Sequence, residues 1–140
     1  MSSAIIVPFD DHYATQITAI RQAVFTAEQG IDTNKDFDGQ DPAATHVLIT
    51  VGGTAVGTGR MLADGHIGRL AVRQSHRGNG LGARLVRALC EEARRKGLPR
   101  VYLGAQQQAR GFYERLGFSV CGKTYVEVGI AHVPMQMRLD

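Results

Sequence analysis

A glycine-rich turn, Arg77-Gly78-Asn79-Gly80-Leu81-Gly82, is the stretch of this sequence best suited to hold a ligand. It lies between a strand-like run, Ile67 to Val72, and an amphipathic segment that is predicted to start a helix near Gly80. Three glycines in five residues leave the backbone open to close approach. The free N–H groups of a helix start, together with the positive end of the helix dipole, attract anions. Arg77 adds a guanidinium group, whose paired N–H groups suit phosphate oxygens. The turn therefore predicts a site for pyrophosphate or a similar polyanion.

Two other phosphate-binding motifs are disfavoured by their context. A dinucleotide-binding turn is followed about 20 residues later by an acidic residue for the ribose, whereas the next strand, Arg100 to Leu103, runs into Gly104-Ala105-Gln106. The segment from Gly117 to Thr124 fits the Walker A pattern, but that motif needs a strand before it and a helix after it. Here a helical segment precedes and a β-rich segment follows. We interpret the Walker match as coincidental.

The composition indicates one globular domain. The 140 residues are 44% hydrophobic and 21% charged, which is ordinary for a globular protein and too short for two ordinary domains. A net charge of +3 with scattered arginines does not indicate nucleic-acid binding. No apolar run has membrane-spanning length and the N-terminus lacks the features of a signal peptide, so a cytoplasmic protein is expected. Neither the cysteines nor the histidines show the spacing of a metal site, so no metal is expected.

The hydrophobic pattern predicts helices inserted into an antiparallel meander. One helix is capped by Asp10 or Asp11 and can end at Gly30, a second runs from about Gly80 to Lys96, and a third from about Gln107 to Leu116. A polar loop covers the residues from Ile31 to Ala44. The predicted strands are Ala4 to Val7, His46 to Val51, Ala55 to Leu62, His66 to Arg73, Arg100 to Leu103, and a closing hairpin around Gly129 made of Ser119 to Val128 and His132 to Arg138. Such an order implies a mixed sheet that helices cover on both faces.

A second segment, Gly111-Phe112-Tyr113-Glu114-Arg115-Leu116-Gly117-Phe118, completes a recognisable pattern. With the glycine-rich turn and the preceding Arg69-Leu70-Ala71-Val72, it resembles the GNAT superfamily of N-acetyltransferases. The flanks, Val24 to Gly30 and Gly129 to Met135, resemble the ElaA-like subgroup. The resemblance implies a single α/β domain with a mixed, mostly antiparallel sheet. It also implies transfer of an acetyl group from acetyl-CoA to the amine of a small molecule or peptide.

The same resemblance assigns residues to the co-substrate. The backbone of Leu70, Ala71 and Val72 would pair with the pantetheine arm like an extra strand, and the glycine-rich turn would hold the pyrophosphate. Gln106 stands where many relatives carry an asparagine that contacts the cofactor. The full set of expected cofactor-binding residues is Leu70, Ala71, Val72, Arg77, Gly78, Asn79, Gly80, Leu81, Gly82, Gln106 and Phe112.

Three residues are candidates for proton transfer. Tyr113 matches a tyrosine that protonates the departing CoA thiolate in many relatives, and a phenol can donate to a thiolate whose thiol titrates near 8.5. His66 aligns with a position at which some relatives carry a general base, and imidazole suits that task near neutral pH. Glu28 is the competing base or an anchor for the substrate, and a bound water could replace either. Each candidate also has a purely structural alternative. Tyr113 could pack in the core, His66 could lie at a hairpin corner, and Glu28 could be solvated at a helix end.

Other polar residues receive plainer interpretations. The carboxylates Asp32, Asp36, Asp38 and Asp41 are expected to be solvated in their loop, with attraction of a cationic acceptor as the second possibility. Cys90 and Cys121 are both expected to be buried and inert, which disfavours a covalent acetyl-cysteine route. His132 either is a surface residue or lines the pocket. A non-catalytic acyl-CoA-binding or sensor domain is the alternative function, and the C-terminal strands are a possible site of homodimer formation.

Overall fold

The computed structural model describes residues 2–140, apart from the side chain of Asn34. The helices are α1 (Asp11–Arg21), α2 (Thr33–Asp36), α3 (Leu81–Arg95) and α4 (Arg110–Arg115), and a π-helical segment, Gln22–Glu28, continues α1. Short 3₁₀ turns occur at Asp41–Ala43, Gln74–His76 and Gln107–Ala109. The strands are β1 (Ser2–Val7), β2 (Thr45–Val51), β3 (Thr54–Met61), β4 (Ile67–Val72), β5 (Arg100–Gln106), β6 (Ser119–Val120), β7 (Tyr125–Glu127) and β8 (Ile130–Arg138).

The strands form two antiparallel sheets that meet at one point. The first has the order β1-β2-β3-β4, and in the second β8 pairs with β5 on one side and with β6 and β7 on the other. A single parallel bridge, His66 to Tyr102, joins them in the described chain, and the Tyr102 amide donates to the Gly65 carbonyl at 3.0 Å. Gly65 is required there, since a Cβ would lie 2.5 Å from the Arg100 carbonyl oxygen. Beyond this bridge β4 and β5 diverge.

Helices cover both faces of the first sheet, as the sequence predicted. On one face the buried stripe of α3, which includes Leu85 and Leu89, packs on Val47 and Ile49 of β2. Gly57 and Gly59 of β3 allow this approach, since a Cβ at either would come within 3.3 Å of a leucine of α3. On the other face Ile17 and Ile20 of α1 pack on Leu48 of β2. This two-sided burial explains why β2 is an almost continuous apolar run.

The first helix begins and ends as expected but changes its winding. The Asp10 carboxylate accepts from the Tyr13 amide at 2.9 Å, and Gly30 follows the end with a φ of 72°. Between these ends the Gln29 amide donates to the Val24 carbonyl five residues back, at 3.2 Å. Segments with this wider winding are common at functional sites. In this chain the segment carries Phe25, which faces the cleft described below.

The expected strand from Ser119 to Val128 is interrupted, and the prediction for Cys121 is wrong. The pairing of β6 with β8 stops at Met135, and the pairing of β7 with β8 starts at His132. Pro134 of β8 lies between these two points, where the ladder is interrupted. Proline has no N–H to donate to a ladder. A Cβ at Gly122 would also lie 2.8 Å from Pro134. Cys121 therefore lies in an irregular segment and is exposed, whereas Cys90 is buried in α3 as expected.

The expectation of a solvated acidic loop is wrong for two of its carboxylates. Asp36 and Asp41 are buried, and both bind the buried Arg21 of α1, whose Nε lies 3.1 Å from Asp36 and whose Nη1 lies 2.8 Å from Asp41. Arg60 of β3 binds Asp41 at 3.1 Å and Asp38 at 2.9 Å. Burial alone would raise the pKa of Asp41, but hydrogen bonds from both arginines outweigh it and lower that pKa. These five residues form an ionic cluster, with Asp38 exposed and the other four buried, that fixes the loop against α1 and β3.

Candidate active site

A cleft of about 400 Å³ opens where β4 and β5 diverge. Its floor is formed by residues of these two strands, including Leu70 and Gln106. One wall is formed by the end of the first helix and the following loop, with Phe25 and Ile31. The hairpin of β7 and β8 forms another part of the lining. Tyr113 of α4 and His66 also line the cleft, so two of the three candidates for proton transfer face one space.

A bulge in β4 shapes the floor of the cleft. The pairing of β3 with β4 shifts between Thr58 and Arg60, and Arg69 has a φ of 52°. A bulge redirects backbone groups away from the regular ladder. The ionic cluster supports this bulge, because the Arg69 Nε lies 3.2 Å from the Asp36 carboxylate and its Nη2 lies 3.3 Å from that of Asp38. The loop that carries one wall is therefore tied to the strand that forms the floor.

The glycine-rich turn has the geometry of an anion site. Gly78 and Gly80 have φ values of 82° and 76°, and a Cβ built at either meets no atom within 4 Å. Because α3 begins at Leu81 without a side-chain cap, its first N–H groups are left for a ligand or solvent. Gly82 lies beside Phe112, since its Cβ would be 3.5 Å from the end of that ring. The turn and the start of α4 are thus adjacent.

Arg77 is arranged differently from the sequence expectation. Both of its terminal nitrogens donate to the Glu28 carboxylate at 2.8 Å, and its Nε donates to the Val72 carbonyl at 2.9 Å. The guanidinium group of Arg77, which we expected to face phosphate, therefore faces a carboxylate of this chain. The backbone N–H groups are left as the main anion-binding feature of the turn. Glu28 does not line the cleft with His66, so its position favours a role in holding Arg77 over a role as the base.

Tyr113 combines access to the cleft with a low-polarity environment. Its ring packs edge-on against Phe112 and Phe118, with centroid distances of 5.0 and 5.7 Å. Burial raises the pKa of Tyr113 to about 12. Such a phenol stays protonated at any physiological pH. It can therefore donate a proton to a thiolate formed beside it.

His66 lies at the bridge between the sheets, where the cleft begins. Its ring stacks on Tyr102 at a centroid distance of 4.7 Å, and the Tyr102 hydroxyl donates to Asp64. Burial lowers the pKa of His66 below its ordinary value of 6.5, although the nearby Asp64 opposes this. The imidazole is therefore neutral at pH 7. A neutral imidazole can accept a proton, which is the requirement for a general base.

Comparisons with known proteins agree with this geometry. Residues 15–139 match the family described as Acetyltransferase (GNAT) domain. YyaT of Bacillus subtilis (strain 168) is 36% identical over 127 residues, which is 86% of each chain. The chain belongs to the GNAT acetyltransferase family. Membership implies an acyl-CoA co-substrate.

Solved structures confirm the GNAT fold. An acyl-CoA N-acyltransferase from Pseudomonas aeruginosa has a TM-score of 0.88 at 27% identity, with 98% of this chain and 99% of that chain covered. Escherichia coli ElaA has a TM-score of 0.87 at 27% identity over 98% of this chain and 99% of ElaA. In sequence, ElaA of strain K12 is 32% identical over 125 residues, or 83% of this chain and 81% of ElaA. The expected resemblance to ElaA is confirmed.

The site of this GNAT protein fits an acyl-CoA. The open glycines of the turn leave room for a pyrophosphate, and the edge of β4 that faces β5 is left unpaired beyond the bridge in the described chain. Within residues 2–140, no group of three or more His, Cys, Asp or Glu side chains is placed to hold a metal ion. In the same residues, no helix has both the length and the apolar character needed to cross a membrane.

The sequence did not predict Tyr125 as a cleft residue, and it left two alternatives for His132. The Tyr125 hydroxyl lies directly over Gly104, where a Cβ would overlap it, and no local signal in the sequence indicated this contact. His132 stacks on Tyr125 at 5.5 Å, and its Nδ1 lies 2.7 Å from the Ile130 carbonyl. Because a carbonyl oxygen only accepts, Nδ1 carries a proton in this contact. The subgroup-like segment around Gly129 was the signal for His132. Gln106 also lines the cleft, and its side-chain oxygen accepts from Gln108 at 2.6 Å.

Proposed function

We propose that this GNAT protein transfers an acetyl group from acetyl-CoA to a primary amine, by direct attack within a ternary complex. The observation that carries the proposal is the shared cleft of Tyr113 and His66. One is a phenol that stays protonated, and the other is an imidazole that stays neutral at pH 7. Two groups whose environments separate their protonation states suit the roles of acid and base.

The chain's own groups would bind the co-substrate along one path. Backbone groups of Leu70, Ala71 and Val72 on the free edge of β4 would pair with the pantetheine arm, and the N–H groups of the glycine-rich turn would hold the pyrophosphate. Gln106 and Phe112 lie near this path. When bound, acetyl-CoA supplies an activated acetyl group and a thiolate as the leaving group.

His66 and Tyr113 would then move the two protons of the reaction. An ammonium has no lone pair, so His66, directly or through a water, would take a proton from the acceptor and leave a neutral amine. The neutral nitrogen would attack the thioester carbonyl, and the C–S bond would break as Tyr113 donates its proton to the departing sulfur. The nitrogen would then lose its second proton, which would return to Tyr113 directly or through a water, leaving the amide and the CoA thiol. The surrounding apolar residues would exclude water from both groups and so strengthen these interactions.

The acceptor that we propose is a small-molecule or peptide amine, because Val128, which lines the cleft, is exposed and leaves the cleft accessible from solvent. Cys90 and Cys121 are both free thiols, as is usual in a reducing compartment. This supports the cytoplasm as the site of the reaction. Pairing of two copies through the C-terminal strands stays a prediction.

Thiol release from acetyl-CoA across a panel of primary amines tests this function. We expect amine-dependent release by the wild type, and a rise in Tm on addition of CoA, since binding to the native state stabilises it. Gly80→Val should remove most of that rise by filling the anion site. Gly97→Val is the matched control, because Gly97 has a similar φ of 74° and equally open surroundings at the other end of α3. CoA binding without amine-dependent release would instead support a non-catalytic acyl-CoA-binding domain.

The pH profile of kcat/KM identifies the base. We expect an acidic limb centred below pH 6.5, because the lowered pKa keeps His66 neutral to a lower pH than a free imidazole. His66→Gln should lower kcat/KM about tenfold or more and remove the limb. Glu28→Gln should release the Arg77 guanidinium, and so change CoA affinity, but keep the limb. Amines of different pKa separate the acceptor's own ionisation from that of the enzyme. A normal profile in His66→Gln and a lost limb in Glu28→Gln would assign the base to Glu28.

A further inference from the structure

The turn between β7 and β8 carries a residue that its backbone disfavours. Val128 and Gly129 are the two residues of this turn, with φ values of 46° and 75°. Two-residue hairpin turns with positive φ at both positions strongly favour Asn or Asp followed by Gly. A β-branched side chain in this region is a genuine outlier. Val128 therefore costs stability that an asparagine would not cost.

The strain lies at the cleft. Val128 lines it and is 46% exposed, so the valine gains little from burial in the core. Among residues 2–140, the other non-glycine residue with a positive φ is Arg69, which lines the same cleft. Ion pairs with Asp36 and Asp38 hold Arg69 in place. A valine has no polar group to be held in this way, and strained residues cluster where they contact ligands.

The surroundings of Val128 indicate what it would contact. The cleft that Val128 lines also contains the apolar side chains of Phe25 and Ile31, and Tyr125 lies on the same hairpin as Val128. We propose that Val128 is a specificity-determining residue that packs against an apolar body of the acceptor. The amine group of that acceptor would point towards His66. This inference rests on the proposed acetyl transfer and narrows its acceptor class to amines with an alkyl chain or ring.

A stability measurement tests the first half of the inference. Val128→Asn should raise Tm by roughly 3–6 °C, because asparagine suits the turn. Val126→Asn is the matched control on the same hairpin, since Val126 is 72% exposed, has no positive φ and does not line the cleft. It should not raise Tm and should lower it slightly, because asparagine suits a strand less well than valine does. A Tm of Val128→Asn at or below that of the wild type would overturn the claim that Val128 lowers the stability of the protein.

A selectivity measurement tests the second half. With ethanolamine, butylamine, hexylamine and phenethylamine as acceptors, kcat/KM of the wild type should rise with the apolar area of the amine. Val128→Asn should lower kcat/KM for hexylamine and phenethylamine about five- to tenfold and lower kcat/KM for ethanolamine much less, because ethanolamine has little apolar area to contact. Val128→Ile keeps the branched side chain and should keep the preference. Val126→Asn should behave as the wild type.

The possible failures are distinguishable. Turnover by the wild type without preference, or an unchanged preference in Val128→Asn, would overturn the role of Val128 and leave the acetyltransferase proposal standing. Loss of the preference in Val126→Asn as well would assign it to the hairpin in general and also contradict the inference. No amine-dependent thiol release from any member of the panel would overturn both proposals together.

Discussion

Removing the hydroxyl of Tyr113, as Tyr113→Phe, should lower kcat about 10²-fold or more while the Kd for CoA stays unchanged. Burial raises the pKa of the phenol to about 12, so it is protonated at neutral pH and available to donate to the sulfur as the C–S bond breaks. Phenylalanine keeps the edge-on packing against Phe112 and Phe118 and removes only the proton donor. Steady-state kinetics, with CoA binding measured by calorimetry, would give both quantities.

Tyr125→Phe is the matched control for this experiment. Its hydroxyl also lies in the cleft, over Gly104, but on the hairpin rather than on α4. We expect that variant to retain kcat within a few-fold. Wild-type kcat in Tyr113→Phe would make Tyr113 a packing residue, and an equal loss in both variants would indicate a general effect of cleft polarity.

Arg21→Met should destabilise the protein by about 3–5 kcal/mol, because it leaves the carboxylates of Asp36 and Asp41 buried with one partner fewer. Methionine has a similar volume and no charge, so most of the loss should come from the unpaired carboxylates. The free energy of unfolding from urea denaturation gives the effect. Arg95→Met, which removes an exposed arginine paired with Glu92, should leave that free energy nearly unchanged. A similarly small effect in Arg21→Met would show that the cluster contributes little.

The same cluster makes stability depend on pH in a defined direction. The pKa of Asp41 is lowered from 3.8, so the folded protein binds that proton less readily than the unfolded chain. The stabilisation is therefore complete above about pH 4 and is lost as the pH falls through the folded pKa. Arg21→Met should weaken this dependence by removing the first hydrogen-bonding partner of Asp41.

Much of the fold followed from local patterns. The apolar stripe of α3, with Gly80 before it and Gly97 after it, specifies a helix and both of its ends. The Asp10 cap and the pairing of β2 with β3 are likewise encoded by neighbouring residues. The break opposite Pro134 was missed because the run from Ser119 to Val128 has high β propensity throughout, and the residue that interrupts its pairing lies on another strand.

The candidate site was predicted less completely, for a physical reason. The glycine-rich turn and Tyr113 belong to continuous motifs, and Tyr113 and His66 do share a cleft. Arg21 and Asp41 were missed because periodicity treats charged residues as exposed, while their burial depends on partners brought together by the fold. The contact of Glu28 with Arg77 spans 49 positions of the chain, and no local pattern specifies such a distance.

The two cysteines differ in exposure, so one thiol of the protein is accessible to labelling reagents. Burial raises the pKa of Cys90 to about 11, so that thiol is both inaccessible and un-ionised at neutral pH. Cys121 is exposed in the irregular segment between β6 and β7. A maleimide dye would therefore attach at Cys121 in the unmodified sequence and report on the segment that leads into the Val128 hairpin. A thiol-detecting reagent in the release assay would for the same reason register about one equivalent of protein before any turnover.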